Sequence, residues 1–313
     1  MSVPPPPMAF RALSALIGAD PMQIQGAGGN TSWKVGDAMW VKASGLLLAD
    51  AMEREVFVPV NLAAARAEAD GAGDGTCRAA VIEGAGPPGL RPSIETTFHA
   101  ALEDRCVVHT HSVATLAHAT SPEGLAALRD ALSDVPHAVV PYAMPGRALT
   151  REIVARAGEA RVLILGNHGL IVRGDDAAEV AALLADVEAR LERAPREAAV
   201  PDADPPDGFA WMPAAFGSHD PAAVSLYPDH VVFLGPGLPT GPEEGRPACV
   251  KGGGLAIRTE AGPAPRAMAR CLADVLARVP DDWTPTSIGT EAEAGLAGWD
   301  AEAYRQKLAA GRT

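Results

Sequence analysis

In the run CVVHTHS, residues 106–112, two of the chain's eight histidines stand two positions apart behind a pair of valines. An apolar, β-branched start of this kind reads as a buried strand. On a strand, residues i and i+2 share a face. His109 and His111 then aim two imidazoles at one point while Thr110 faces away, an arrangement that suits a metal ion. The alternative is a surface strand end that carries two histidines by chance. His168 is a third candidate: it follows the apolar RVLIL and sits in GNHG, between small residues that allow close backbone approach. A histidine in a glycine-rich turn is usually structural or exposed. Joined to the other two, it makes three ligands with one position left open, which is what a catalytic Zn2+ needs. Imidazole donors suit Mn2+ and Co2+ as well.

Two further stretches carry chemistry. In GAGGNTS, 26–32, Gly28 and Gly29 let backbone amides approach a ligand closely, and Asn30, Thr31 and Ser32 add neutral donors. VKASG, 41–45, adds Ser44 and the single positive charge of Lys42. Together they make a cradle for a phosphate or carboxylate, although a glycine-rich loop is more often only a turn. The loop lacks the GK[ST] ending of a phosphate-binding P-loop and the glycine spacing of a dinucleotide fold. In RPSIETTFH, 91–99, Ser93 reads as a helix N-cap, with Glu95 in the first turn and His99 one turn on along the same face. Most first-turn glutamates complement the helix dipole. Beside a metal, such a carboxylate serves as a general base.

The elements that must position these residues follow from pattern. Helices are expected over 10–20, 93–105, 113–132, 149–160 and 176–194. Strands are expected over 38–44 and 106–112, with a strand and turn over 138–146, a strand running into a helix over 56–70 and a hairpin or strand pair over 161–174. The Gly- and Pro-rich stretch 70–93 is largely loop. Alternation of strand and helix gives an α/β class, with helices covering a mixed sheet. The acidic, proline-rich 196–210 reads as a linker between a domain over 1–195 and an extension over 211–313. The segment 251–278 echoes 166–190: Gly169-Leu170 aligns with Gly254-Leu255, Arg173 with Arg258, and Gly253 stands where the first copy has His168. It reads either as a degenerate half-repeat that lost the ligand or as a chance likeness between strand–turn–helix units in an alanine-rich chain.

Composition sets the outer bounds. The chain has 313 residues, 48% of them apolar, enough for a sizeable core. A net charge of −13 argues against nucleic acid or an anionic membrane as the main partner. Cys77, Cys106, Cys249 and Cys271 are far apart and form no CxxC pair, as expected for free thiols in a reducing compartment. The start MSVPPPPMAF has no signal-peptide pattern and no apolar run approaches the roughly 20 residues of a membrane span. A cytoplasmic protein is the expectation.

Taken in order, GGNTS, KASG, PSIET, HTHS and GNHGLIV resemble the class II aldolase/adducin family over residues 8–195. FRALSALIGADPMQIQGAGGNTSWK, PDHVVFLGPG and the closing LAGWDAEAYRQKL resemble the aldolase part of long rhamnulose-1-phosphate aldolase-like proteins. The resemblance implies a three-layer α/β/α domain with a mixed central sheet, here with a smaller C-terminal α/β extension. It also implies a homo-oligomer, commonly a tetramer with active sites at subunit contacts. By motif, His109, His111 and His168 match metal ligands, usually of zinc, and Glu95 matches the catalytic glutamate. Asn30, Ser44, Gly45 and Ser93 match positions that hold a substrate phosphate, with Gly29, Thr31 and Lys42 in the same motifs.

The reaction so implied is aldol cleavage of a ketose phosphate or related hydroxy-carbonyl sugar through a zinc-stabilised enediolate, with Glu95 moving the proton. Epimerisation, dehydration and sugar-acid decarboxylation at the same site are the alternatives, and a non-catalytic, adducin-like assembly module is another. The intact histidine set and Glu95 argue against the last. This chain departs from the pattern at Ile94, where the family's L-fuculose-1-phosphate aldolases have a second serine, and lacks the loop that carries the family's tyrosine acid. Tyr142 matches a different tyrosine, for which packing is the expected role. His118 and His137 read as ordinary, and His219 and His230 fall in the extension.

Overall fold

A computed structural model describes residues 3–297 of the chain. Six short, largely apolar runs and the more polar NTSWKV become the strands of one sheet: β1 (Asn30–Val35), β2 (Ala38–Lys42), β3 (Phe57–Asn61), β4 (Cys106–Thr110), β5 (His137–Val140), β6 (Val162–Leu165) and β7 (Gly169–Gly174). Their order is β3-β2-β1-β4-β7-β6-β5. All neighbours are antiparallel except β5 and β6, so the sheet is mixed, as expected. The strand that leads into the two histidines, β4, is central and buried throughout.

Period-two alternation divides the sheet's faces. Val108 and Val172 pack with Phe10, Leu13 and Ile17 of α1 (Met8–Ala19) and with Val180, Leu184 and Val187 of α7 (Ala177–Leu191). Val107 and Ile171 pack the other way, against Phe98 of α3 (Thr96–Ala101) and Leu149 and Ile153 of α6 (Arg147–Ala157). The result is the three-layer helix–sheet–helix arrangement. The strand running into a helix is β3 with α2 (Leu62–Ala69), whose Asn61 side chain caps the turn by accepting from the Ala64 N–H.

Two helices differ from expectation. The span 113–132 is two helices, α4 (Val113–Ala119) and α5 (Pro122–Ala131). Pro122 has no N–H to continue the ladder and its ring would crowd a preceding carbonyl, so the chain restarts with Ser121 accepting from the Gly124 N–H. The helix expected from Ser93 begins at Thr96, with Glu95 at the N-cap. Ser93 is held outside it because its N–H donates to the Lys42 carbonyl and Pro92 bridges to Ala43, which ties this stretch to the end of β2.

Beyond the acidic stretch lies a second sheet, β8-β10-β9, made by β8 (Phe209–Met212), β9 (Ala248–Lys251) and β10 (Gly254–Arg258). Around it stand α8 (Pro228–Leu234), α9 (Pro263–Leu276) and α10 (Thr290–Ala297). The echoing segments share a build: each is an antiparallel hairpin followed by a helix, β6–β7–α7 and β9–β10–α9. The aligned arginines even make the same bond, Arg173 Nε to the Ala160 carbonyl at 2.7 Å and Arg258 Nε to the Arg246 carbonyl at 2.8 Å. Most of LAGWDAEAYRQKL lies outside the described residues.

The four cysteines are buried and unpaired, and burial pushes the thiols of Cys77, Cys106 and Cys271 up to about 12. Among the described residues no helix is long and apolar enough to cross a membrane.

Candidate metal centre

His109 is in the last pair of residues of β4, and His111 lies just past the strand's end, before Ser112 caps α4. The hairpin turn between β6 and β7 brings His168 to the same place. Its close approach depends on Gly169, which has φ +151° and whose absent Cβ would lie 2.2 Å from the Thr110 carbonyl oxygen. The ring centroids are 5.0 Å apart for His109 and His111, 5.0 Å for His109 and His168, and 5.4 Å for His111 and His168. One ring nitrogen from each lies within 4.8 Å of the others, and all three residues are buried.

The hydrogen bonds say which atoms face the cluster. His109 Nδ1–H donates to the Leu170 carbonyl at 3.0 Å, leaving its Nε2 lone pair turned inward. Among the described residues, His109 Nε2, His111 Nδ1 and His168 Nδ1 are buried without hydrogen-bond partners. An orphaned polar atom of this kind costs about 1–3 kcal/mol, so the inward-turned His109 Nε2, with Glu95 Oε1 likewise without a hydrogen-bond partner among the described residues, marks a site built to take something in. Neutral imidazoles fit a borderline divalent cation. Burial, partly opposed by Glu95, lowers His109 to about 4 and His168 to about 3, so both rings are uncharged at neutral pH with lone pairs available.

Glu95 lies across the cluster, Oε2 at 3.5 Å from His109 Nε2 and Oε1 at 3.4 Å from His168 Nε2. Burial works first to raise its pKa. His109, His168 and the Asn30 amide overcome that and hold the carboxyl down to about 2. Asn30 stands directly across the ladder from His109. Its Nδ2 donates to Glu95 Oε2 at 2.8 Å and to Ser93 Oγ at 3.2 Å. Its Oδ1 accepts from His99 Nε2–H, and His99 Nδ1 in turn accepts from the Ser32 hydroxyl at 2.8 Å. Burial keeps His99 well below its ordinary value, hence neutral. A buried chain, Ser32–His99–Asn30–Glu95, thus fixes the carboxylate. The i+4 spacing of Glu95 and His99 is the one sequence signal of it.

A pocket opens over these groups. Of the residues expected to bind substrate, Gly29, Asn30, Lys42, Ser44, Gly45 and Ser93 line it, beside Glu95, His111 and His168. Lys42 Nζ donates to the Ala27 carbonyl at 2.7 Å. Thr31 is not brought there: it alternates to the other face of β1, where its hydroxyl bonds that of Ser14 at 2.8 Å. Ile94 is in the lining. Tyr142 turns its hydroxyl to the Met144 sulfur, and burial raises it to about 12. His118, His137 and His219 bond backbone carbonyls, of Ala114, Val135 and Val279. Among the lining residues that the sequence does not assign to the site, Asp229 of α8 is the charged one, with Oδ2 3.3 Å from His111 Nδ1.

The buried imidazoles set a pH limit. His109, His168 and His230, the last lowered by burial to about 3, all titrate lower in the folded protein than the unfolded value near 6.5. Above 6.5 they make no difference. As pH falls below it the unfolded chain takes up protons first, and stability is lost down to the folded values. Each costs about 1.4 kcal/mol one pH unit below 6.5, and His99, also held well below its ordinary value, adds to the loss, so metal-free protein should lose at least about 4 kcal/mol between pH 7.5 and 5.5. Glu95, with its lowered value, still contributes fully in this window. Urea unfolding at the two pH values measures the difference, and equal stability would contradict the assignment.

The fold and the site define the class of protein. The model of the "Class II Aldolase and Adducin N-terminal domain" matches residues 14–194, and the chain belongs to that family. The uncharacterized oxidoreductase YuxG of Bacillus subtilis (strain 168) is 32% identical over 180 residues, which are 52% of this chain and 25% of YuxG. The chain therefore spans about a quarter of that relative's length. The N-terminal class II aldolase domain of a conserved protein from Thermoplasma acidophilum superposes with a TM-score of 0.51 at 24% identity, over 61% of this chain and 95% of its own, and shares the fold. An L-fuculose-1-phosphate aldolase from Thermus thermophilus is 22% identical over 59% of this chain and 92% of its own, with a TM-score of 0.39.

Proposed function

We propose that this protein is a metal-dependent lyase of the aldolase type, acting on a ketose phosphate or a related hydroxy-carbonyl sugar. The observation that carries the reading is the placement of Glu95 against two of three converging imidazoles, beside a pocket that Glu95, His111 and His168 line. His109, His111 and His168 would hold the ion, with Zn2+ favoured and Mn2+ or Co2+ compatible. A bound divalent cation supplies Lewis acidity for a carbonyl and its neighbouring hydroxyl.

The chain's own residues do the rest. Glu95, ionised and held by Asn30, accepts the proton from the substrate hydroxyl as the carbon–carbon bond breaks, and returns it to carbon. Lys42, Ser44 and Ser93 bind the far, anionic end of the substrate, so that binding energy remote from the reacting bond orients it. Ile94 offers no hydrogen bond there and favours a second reading, in which the same centre epimerises or decarboxylates a sugar acid. Four buried thiols support a reducing, cytoplasmic setting, and the family membership supports a homo-oligomer, with a tetramer favoured.

The test is elemental analysis followed by a screen of ketose phosphates and sugar acids. One equivalent of divalent metal per chain and release of two carbonyl fragments from one substrate is the expected result. Metal with inverted stereochemistry or released carbon dioxide would select the second reading. A protein that takes up no metal would remove both.

A further inference from the structure

The family match ends at residue 194, but the site does not. Asp229 reaches it from the extension. It follows Pro228 at the start of α8, is buried, and places Oδ2 3.3 Å from His111 Nδ1. Space for this meeting is made by Gly28. A Cβ there would lie 2.9 Å from Asp229 Oδ2 and 3.0 Å from His111 Nδ1, so any larger residue would come between them.

The three histidines are not equally supported. His109 has its Nδ1 proton taken by the Leu170 carbonyl, which leaves Nε2 for the cluster. Among the described residues His111 Nδ1 has no backbone acceptor in that role; it is buried, and the carboxylate of Asp229 is the group beside it. Histidines that bind metals present one nitrogen and give the proton of the other to an acceptor, which fixes the tautomer and raises the basicity of the donor.

We propose that Asp229 is a positioning residue of the metal centre, whose carboxylate takes the Nδ1 proton of His111 so that Nε2 is the nitrogen offered to the ion. This rests on the reading of His109, His111 and His168 as ligands. It makes the extension part of the site, supplying a group that the family segment lacks.

The test uses the full chain and Zn2+ in competition with a chromophoric chelator, with Co2+ as a spectroscopic probe. Asp229→Ala should weaken Zn2+ by about 10- to 100-fold, the range for loss of such an acceptor, and should alter the visible spectrum of the Co2+ form. Asp229→Asn, which keeps an acceptor oxygen in the same place, should recover most of the affinity. Gly28→Ala should weaken Zn2+ in the wild-type background and add little in Asp229→Ala, because both changes break one contact. It also carries the test should Asp229→Ala fail to fold.

Zn2+ affinity within twofold of wild type in Asp229→Ala, or an Asp229→Asn variant as weak as Asp229→Ala, would overturn the proposal while leaving the three-histidine site standing. A loss of metal-free melting temperature in Asp229→Asn with unchanged Zn2+ affinity in Asp229→Ala would reduce Asp229 to a structural role and overturn it too. Wild-type protein that binds no Zn2+ would remove the site and this inference together.

Discussion

His168→Ala is expected to abolish stabilisation by metal while leaving the metal-free protein as stable as before. A ligand that binds the folded state at a thousand times its Kd adds about 4 kcal/mol, which for a chain of 313 residues is a rise of about 6 °C in melting temperature. Wild type should show such a rise with Zn2+, and the variant should show none. The metal-free comparison separates this role from packing. A large buried side chain that only filled space would leave a cavity and cost about 2–5 kcal/mol on truncation. His168 is different: its Nδ1 is buried without a partner and burial lowers its pKa to about 3. Removing it relieves an unsatisfied polar group that costs about 1–3 kcal/mol, and this offsets the lost packing. Differential scanning calorimetry of both proteins, with and without Zn2+, gives all four numbers. A metal-free variant several degrees less stable than wild type, with the Zn2+ shift intact, would make His168 a core residue and not a ligand.

The second large effect is at Glu95. Glu95→Gln keeps the side chain's shape and an oxygen for the Asn30 amide, but removes the base. Turnover of whatever substrate the screen identifies should fall by about 10²- to 10⁴-fold, the usual contribution of a positioned general base. KM should change much less, since the anion-binding groups Lys42, Ser44 and Ser93 are untouched. Zn2+ affinity should stay within about tenfold, because the three imidazoles remain. A variant with normal turnover would leave Glu95 as a buried counter-charge alone; one that loses its metal would make it a ligand first and a base second.

Much of this site is legible in the chain because it follows from local periodicity. The period of two along CVVHTHS puts His109 and His111 together, and the small residues of GNHG mark the turn that delivers His168. The same period also excludes Thr31 from the cradle: flanked by Asn30 and Ser32 on β1, it has to face away from them, and it bonds Ser14 behind the sheet. The start of α3 is harder to read because Ser93 is a good capping residue by type, yet its backbone is tied to Lys42. Pro122 is visible in the sequence, but the apolar residues on both sides of it keep a helical pattern that masks the break. Asp229 is out of reach for another reason. It meets His111 from 118 positions away in sequence, and no local pattern in PDHVVFL points to a partner. Its neighbour His230 stands out by residue type, but His230 is buried with Nδ1 accepting from the Leu226 N–H.

The short helix α4 starts two residues after His111, and it is shared. Ala114 and Ala119 pack into the core under the seven-stranded sheet, while Val113, Leu116 and Ala117 pack with Leu226, Val231, Met268 and Leu272 of the extension. Neither sheet can come apart without exposing one side of this helix. The molecule should therefore melt as a single cooperative unit, with no state in which the extension is loose and the histidine cluster is intact. Ion binding would then be felt across the whole chain, and a cut in the acidic stretch that freed the extension would disorder the metal centre itself.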